Sequence, residues 1–198
     1  MRILELSRYN IPEKIVEAWI TEMGEELLPV QERAIKRHQV LDGKSLIISS
    51  PTTSGKTFIG EIAAVKGVME KKKVIYLVPL KSLAEEKYLD FRKKYESFGI
   101  RTVVSSRDHR EHDRAIEAGE FGIAVIVYEK MAQLMVKNPF LLKNIALVVV
   151  DELQEIGDPD RGPGLEITLT KIVSSPHRPQ VIGLSAVLGN TDALARWL

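Results

Sequence analysis

The chain has 198 residues, 44% of them hydrophobic and 28% charged, with a formal net charge of +1 and no cysteine. That length suffices for one sizeable domain with a full hydrophobic core; the composition excludes a disulfide framework and a thiolate zinc site, and no apolar run reaches the roughly 20 residues that cross a bilayer. The expectation is a soluble, cytoplasmic protein without a membrane partner, in which any nucleic acid binding comes from a local patch rather than from overall charge.

Residues 12–24 (PEKIVEAWITEMG) predict an amphipathic helix, with Pro12 in its first turn and Ile15, Ala18 and Trp19 on one face. Residues 31–41 (QERAIKRHQVL) predict a second short helix. Then the pattern changes. The segments 45–49 (SLIIS), 74–79 (VIYLVP), 101–106 (RTVVSS), 123–128 (IAVIVY), 145–151 (IALVVVD) and 180–186 (QVIGLSA) are short, β-branched and mostly continuously apolar. Strands that read this way are buried on both faces. Helical stretches such as 56–71 and 82–98 lie between them, and strands alternating with helices form βαβ units around a mainly parallel sheet. The expected fold is α/β: one three-layer domain, with a helical lead-in over 1–42 and the core over 43–198.

Residues 49–57 read SSPTTSGKT. The phosphate-loop pattern is G-x-x-x-x-G-K-[ST], and its first glycine falls on Ser50 here, so the match is imperfect. The context supplies what the pattern lacks. A buried strand runs into the loop and a helix opens from it, so successive backbone N–H groups and the helix N-terminus form an anion site. In this reading Pro51, Thr52, Thr53, Ser54 and Gly55 wrap the phosphates of ATP, Lys56 reaches the β- and γ-phosphates, and the Thr57 hydroxyl takes a Mg²⁺ ion. The alternative is a polar strand-to-helix turn with Lys56 solvated.

A phosphate loop that hydrolyses ATP also needs a carboxylate for the metal and a group to activate water. VVVDELQ (148–154) offers both at the carboxyl end of a predicted strand, where ligands of open α/β sheets bind. Asp151 would hold Mg²⁺ and Glu152 would orient or deprotonate the attacking water. The alternative is an acidic helix start that suits the macrodipole.

LPVQ (28–31), SPTTSGKT (50–57), VPLKSLA (78–84), VYEKM (127–131), DELQ (151–154) and LSAV (184–187) occur in that order. The series resembles the Q motif and motifs I, Ia, Ib, II and III of superfamily 2 helicases, in the first RecA-like domain. PDRGPGLE (159–166) is similar to the Ski-two-like branch, and IGLSAVLGNTDALARWL resembles the archaeal Hjm-type repair helicases within it. The resemblance implies a RecA-like P-loop domain with the Q motif in the lead-in, ATP and Mg²⁺ as cofactors, and single-stranded or forked nucleic acid as partner, DNA rather than RNA. It implies that Gln31 bonds the adenine edge, that Lys81, Ser82, Glu129 and Lys130 lie along a nucleic acid backbone, and that Gln154 and Ser185 link the two sites.

Three positions depart from that pattern. Gln154 stands where His is usual; it can still donate and accept, but it cannot titrate. Val187 replaces the Thr of Ser-Ala-Thr and keeps its shape, and Val127 replaces a Thr that would touch a phosphate. The sequence stops after motif III, so the expectation is a first motor domain that hydrolyses ATP weakly without a second RecA-like domain and its arginine fingers, worth roughly 10³–10⁵ in rate. The competing reading is a non-catalytic nucleic acid-binding or regulatory module. A small-molecule kinase would need an acceptor site and an arginine-rich lid, and neither is evident.

The remaining signals are bland. His109 and His112 in DHREHD are expected in a solvated stretch rather than on a metal. KKK (71–73) and RKK (92–94) are expected as solvated helix ends, and Trp19 and Trp197 as packing aromatics.

Overall fold

The computed structural model describes residues 1–51, 54–106 and 112–198. Six strands form one parallel sheet: β1 (Leu46–Ser49), β2 (Lys73–Val78), β3 (Thr102–Ser105), β4 (Ile123–Val127), β5 (Ile145–Val150) and β6 (Gln180–Ser185), in the spatial order β1-β6-β5-β2-β4-β3. Every strand expected from the continuous apolar runs is present. The helices are α1 (Glu13–Met23), α2 (Pro29–Glu32), α3 (Lys56–Met69), α4 (Lys81–Tyr95), α5 (Asp113–Ala118), α6 (Tyr128–Lys137), α7 (Gly162–Val173) and α8 (Thr191–Trp197).

Alternation along the strands divides the core in two, as the pleat requires. Val74, Tyr76, Val78, Val125, Val149 and Ile182 face a cluster with Trp19 of α1, Ile59 and Ile62 of α3, and Phe91 and Tyr95 of α4. Ile75, Leu77, Ala124, Ile126, Val148 and Val150 face the other cluster, with Met131 and Leu134 of α6 and Leu165 and Leu169 of α7. Three layers result, and the carboxyl ends of the strands share one edge with the motif residues.

The lead-in departs from expectation in two places. On α1 the buried face is Ile15, Val16 and Trp19, and Ala18 is exposed. At about 100° per residue, Ala18 lies outside the arc that the other three define. The second helix does not run through 31–41. It begins as α2, passes into a π-turn over Arg33–Arg37 closed by His38 N–H on the Arg33 carbonyl (3.2 Å), and reverses at Gln39 with φ +52°. Continuing the helix would carry the buried face of Ala34 and Ile35 onto Arg37 and His38. The break instead returns Val40 and Leu41 to the core.

Lys94 is a further correction: it is no solvated helix end. Its ammonium meets Glu22 at 2.8 Å, Asp90 at 3.3 Å and the buried Glu61 at 3.4 Å. Tyr95 O–H donates to the same Glu61 carboxylate, and Trp19 Nε1–H donates to the Tyr95 oxygen at 2.7 Å, which ties the lead-in to α3 and α4. Trp197 is half-buried against the second cluster. Gly162 opens α7 where no side chain fits, since a Cβ would stand 2.3 Å from the Ile156 carbonyl oxygen. Among the described residues no helix is long and apolar enough to cross a membrane.

Candidate nucleotide site and nucleic acid face

The missing first glycine has a simple explanation. Ser50 N–H donates to the Ser185 carbonyl at 3.1 Å, so position 50 extends the β1–β6 ladder with no need for a positive φ. Gly55 does need one, at φ +72°, and a Cβ there would lie 2.5 Å from Gln31 Nε2. Gln31 is buried beneath the loop. Its Nε2 donates to the Gly55 carbonyl at 2.9 Å and its Oε1 accepts from Leu28 N–H at 2.8 Å. These bonds take one of the amide's two donors and one of its two acceptor sites, and the adenine contact expected of Gln31 would use the others. Thr52 and Thr53 lie outside the described residues, and Pro51 is exposed at the loop entry.

Lys56 opens α3 and is 3% exposed. Thr57 lines a cavity of ≈ 230 Å³ with Val78, Leu83, Glu86, Lys87, Asp151 and Glu152. Thr57 and the acidic pair thus line one cavity. A larger cavity of ≈ 470 Å³, lined by Val40, Lys66, Glu70 and Arg178 among others, lies at the amino ends of the strands, away from this chemistry.

Asp151 follows β5 and is fixed through its carboxylate, its N–H and its carbonyl. Tyr76 O–H donates to Oδ2 at 3.0 Å, Glu152 N–H donates to Oδ1 at 3.0 Å, Asp151 N–H donates to the Leu77 carbonyl at 2.9 Å, and Tyr128 O–H donates to the Asp151 carbonyl. Burial pushes the Asp151 carboxyl above its ordinary range, against the Tyr76 hydrogen bond and the Lys87 charge. Burial drives the Tyr76 phenol well above its ordinary value, so it remains a proton donor. Lys87 rests on aromatic faces, its Nζ 5.5 Å from the Tyr76 ring centroid and 5.4 Å from that of Phe91. Neither tyrosine nor Lys87 was singled out from the sequence. The available signal was a phenol within an otherwise aliphatic strand (Tyr76), a phenol at a strand end (Tyr128), and a lysine two turns into the helix that Lys81 begins.

Glu152 takes φ +53°, a left-handed conformation that is costly for a residue with a Cβ. Its carboxylate accepts from Gln154 Nε2. Gln154 Oε1 in turn accepts from Ser185 Oγ at 3.0 Å and from Ala186 N–H at 2.9 Å. Gln154 therefore bridges the acidic pair to the end of β6 without the imidazole usual at this position. Val187 is 75% exposed, so its shape contributes no packing.

A second cavity of ≈ 310 Å³ opens on the same sheet edge, lined by Pro79, Leu80, Lys81, Ser106, Val127, Glu129, Lys130 and Gln133. Ser82 is exposed beside it on the first turn of α4. Lys130 corrects the expectation of a strand-facing ammonium. It is 6% exposed, its Nζ meets Asp113 Oδ2 at 2.6 Å, and Ser105 Oγ donates to Asp113 Oδ1 at 2.5 Å. Burial of both charges makes this pair costly to open. His112 is half-buried against the Val104 backbone and 5.8 Å from the Tyr88 ring centroid, and His109 lies outside the described residues. Among the described residues no group of three or more His, Cys, Asp or Glu is placed to hold a metal.

The residues present fit ATP and Mg²⁺. Ser54 Oγ is buried in the phosphate loop without a hydrogen-bond partner, a polar atom that a phosphate oxygen would satisfy. A hydroxyl and one carboxylate, with water and phosphate oxygens completing the shell, is how Mg²⁺ is held at such sites.

A Gly-Lys-Thr turn after β1 and an acidic pair after β5, two parallel strands with β6 alone between them, place this chain among the RecA-like P-loop domains. It belongs to the DEAD/DEAH box helicase family, which matches residues 28–194. Proteins named ATP-dependent DNA helicase Hel308 are similar to it: that of Methanococcus vannielii is 39% identical over 90% of this chain and 24% of its own length. The Methanocaldococcus jannaschii protein is 40% identical over 87% of this chain and 15% of its own, and the Pyrococcus abyssi protein 38% over 98% and 26%. The chain thus spans about a quarter or less of the relatives it matches.

Proposed function

We propose that the chain is the ATP- and Mg²⁺-binding first motor domain of an ATP-dependent DNA helicase, working in the cytoplasm on single-stranded or forked DNA with a second RecA-like domain closing over the nucleotide. The observation that carries the reading is the convergence of Thr57, Asp151 and Glu152 on one cavity beneath the phosphate loop. Bound ATP supplies the phosphoanhydride bond whose hydrolysis drives the motor. Lys56 and the loop N–H groups bind its phosphate oxygens, Thr57 and Asp151 hold the metal, and Glu152 orients a water and draws its proton. Gln154 transmits the position of Glu152 to Ser185 and Ala186. Lys81 and Glu129 line the second cavity and Ser82 stands beside it, where the strand's backbone would lie; a phosphate contact from Lys81 makes binding salt-sensitive, and backbone contacts make it nearly independent of sequence. The intact Gln154 bridge weighs against a non-catalytic module.

The test is binding of a labelled single-stranded DNA as salt is raised. Wild type should lose affinity linearly on logarithmic axes, and Lys81→Ala should lower the slope by about 1. Absence of binding, or binding indifferent to salt, overturns the reading.

A further inference from the structure

Two phenols grip Asp151 from opposite faces of the sheet. Tyr76 belongs to the cluster under α3 and α4 and bonds the carboxylate; Tyr128 belongs to the cluster under α6 and α7 and bonds the backbone carbonyl. Tyr128 is the first residue of α6, and its next two residues, Glu129 and Lys130, line the second cavity. Its ring is 2% exposed and reaches past the end of β2, which lies between β4 and β5, to the residue that follows β5. The carbonyl it holds belongs to the Asp151–Glu152 peptide, whose orientation sets the left-handed φ of +53° at Glu152. A strained conformation persists where its surroundings over-determine it. Any shift of the first turn of α6 must therefore pull on that peptide, and with it on the direction of the Glu152 carboxylate.

We propose that Tyr128 is a positioning residue that couples the nucleic acid cavity to Asp151 and Glu152, a second route beside the Gln154–Ser185 bridge. The inference rests on the reading of the second cavity as the nucleic acid face. A strand that engages the first turn of α6 biases the Asp151–Glu152 peptide through a single O–H bond, and by linkage nucleotide binding biases the strand in return. Asp113 serves the same end from below. Its pairing with Lys130 fixes the turn from which Tyr128 projects.

The experiment measures affinity for a fluorescent ATP analogue with Mg²⁺, with and without saturating single-stranded DNA, in wild type and in Tyr128→Phe, which keeps the ring and removes the hydroxyl. Wild type should show coupling of about 5- to 150-fold, the usual range for linked sites. In Tyr128→Phe each ligand alone still binds, and the coupling factor falls toward 1. Coupling retained in a folded Tyr128→Phe protein overturns the inference, as does a wild type that binds both ligands without coupling; in either case the reading of the two sites stands. A wild type that binds neither ligand overturns that reading and the inference together. Should Tyr128→Phe not fold, amide hydrogen exchange of wild type decides: DNA added alone should change protection across residues 151–154, and no change there overturns the proposal.

Discussion

Gln154 Oε1 accepts a hydrogen bond from Ser185 Oγ at 3.0 Å while its Nε2 donates to the Glu152 carboxylate, so one amide joins the end of β6 to the residue assigned to water activation. Both directions of the amide are used, and a side chain with only acceptors cannot replace it. Gln154→Glu should destabilise the fold by about 1–3 kcal/mol, because it sets a carboxylate against Glu152 and removes the donor. Gln154→His can still donate and accept and should stay close to wild type. Urea unfolding midpoints for the two variants check this, and equal loss in both would show that the bridge contributes only volume.

The buried Lys130–Asp113 pair predicts a separation of stability from binding. Lys130→Met should cost about 3–5 kcal/mol, since it strands Asp113 among buried neighbours. Removing both charges with Lys130→Met and Asp113→Leu should recover most of that loss. Lys81→Ala acts on an exposed residue whose contact with Glu85 is 3.8 Å long, and it should leave the midpoint nearly unchanged. If Lys130→Met weakens DNA binding with no loss of stability, its ammonium faces the strand after all.

Glu61 gives a prediction in pH. Burial raises its pKa above the ordinary 4.5 in spite of Lys94 and Tyr95, so the folded state favours the protonated acid. The stability it contributes is present below the unfolded pKa and is lost as pH rises through the raised folded value. Glu61→Gln retains an acceptor for Tyr95 O–H, and Lys94 keeps Glu22 and Asp90. The variant should therefore gain on wild type as pH climbs from about 4.5 and then level off. Denaturation midpoints across that range test it; a variant that falls further behind as pH rises would show that the Lys94 pairing outweighs burial.

The sheet was legible because strands covered on both faces leave continuous apolar runs, and all six such runs are strands. The meeting of Thr57 with Asp151 and Glu152 was legible because both motifs sit at carboxyl ends of parallel strands, which topology brings together. What sequence could not convey was the direction of single side chains. Lys130 turns inward because Asp113, 17 residues earlier, is buried beneath it. Tyr76 and Tyr128 gave no sign of their role because the residue they bond, Asp151, is 75 and 23 residues away. The break at Gln39 was hidden because His38 and Gln39 carry no Gly or Pro signal; only the burial of Val40 and Leu41 enforces it.

In the proposed function SSPTTSGKT works as a phosphate loop with Ser50 in place of its first glycine. Titration of a fluorescent ATP analogue with Mg²⁺ into wild type and Lys56→Ala tests it most directly. Saturable binding in wild type that is lost in Lys56→Ala is the predicted result. Equal binding by both proteins would show that the buried Lys56 at the start of α3 plays no part in holding the nucleotide, and the phosphate-loop assignment would fall.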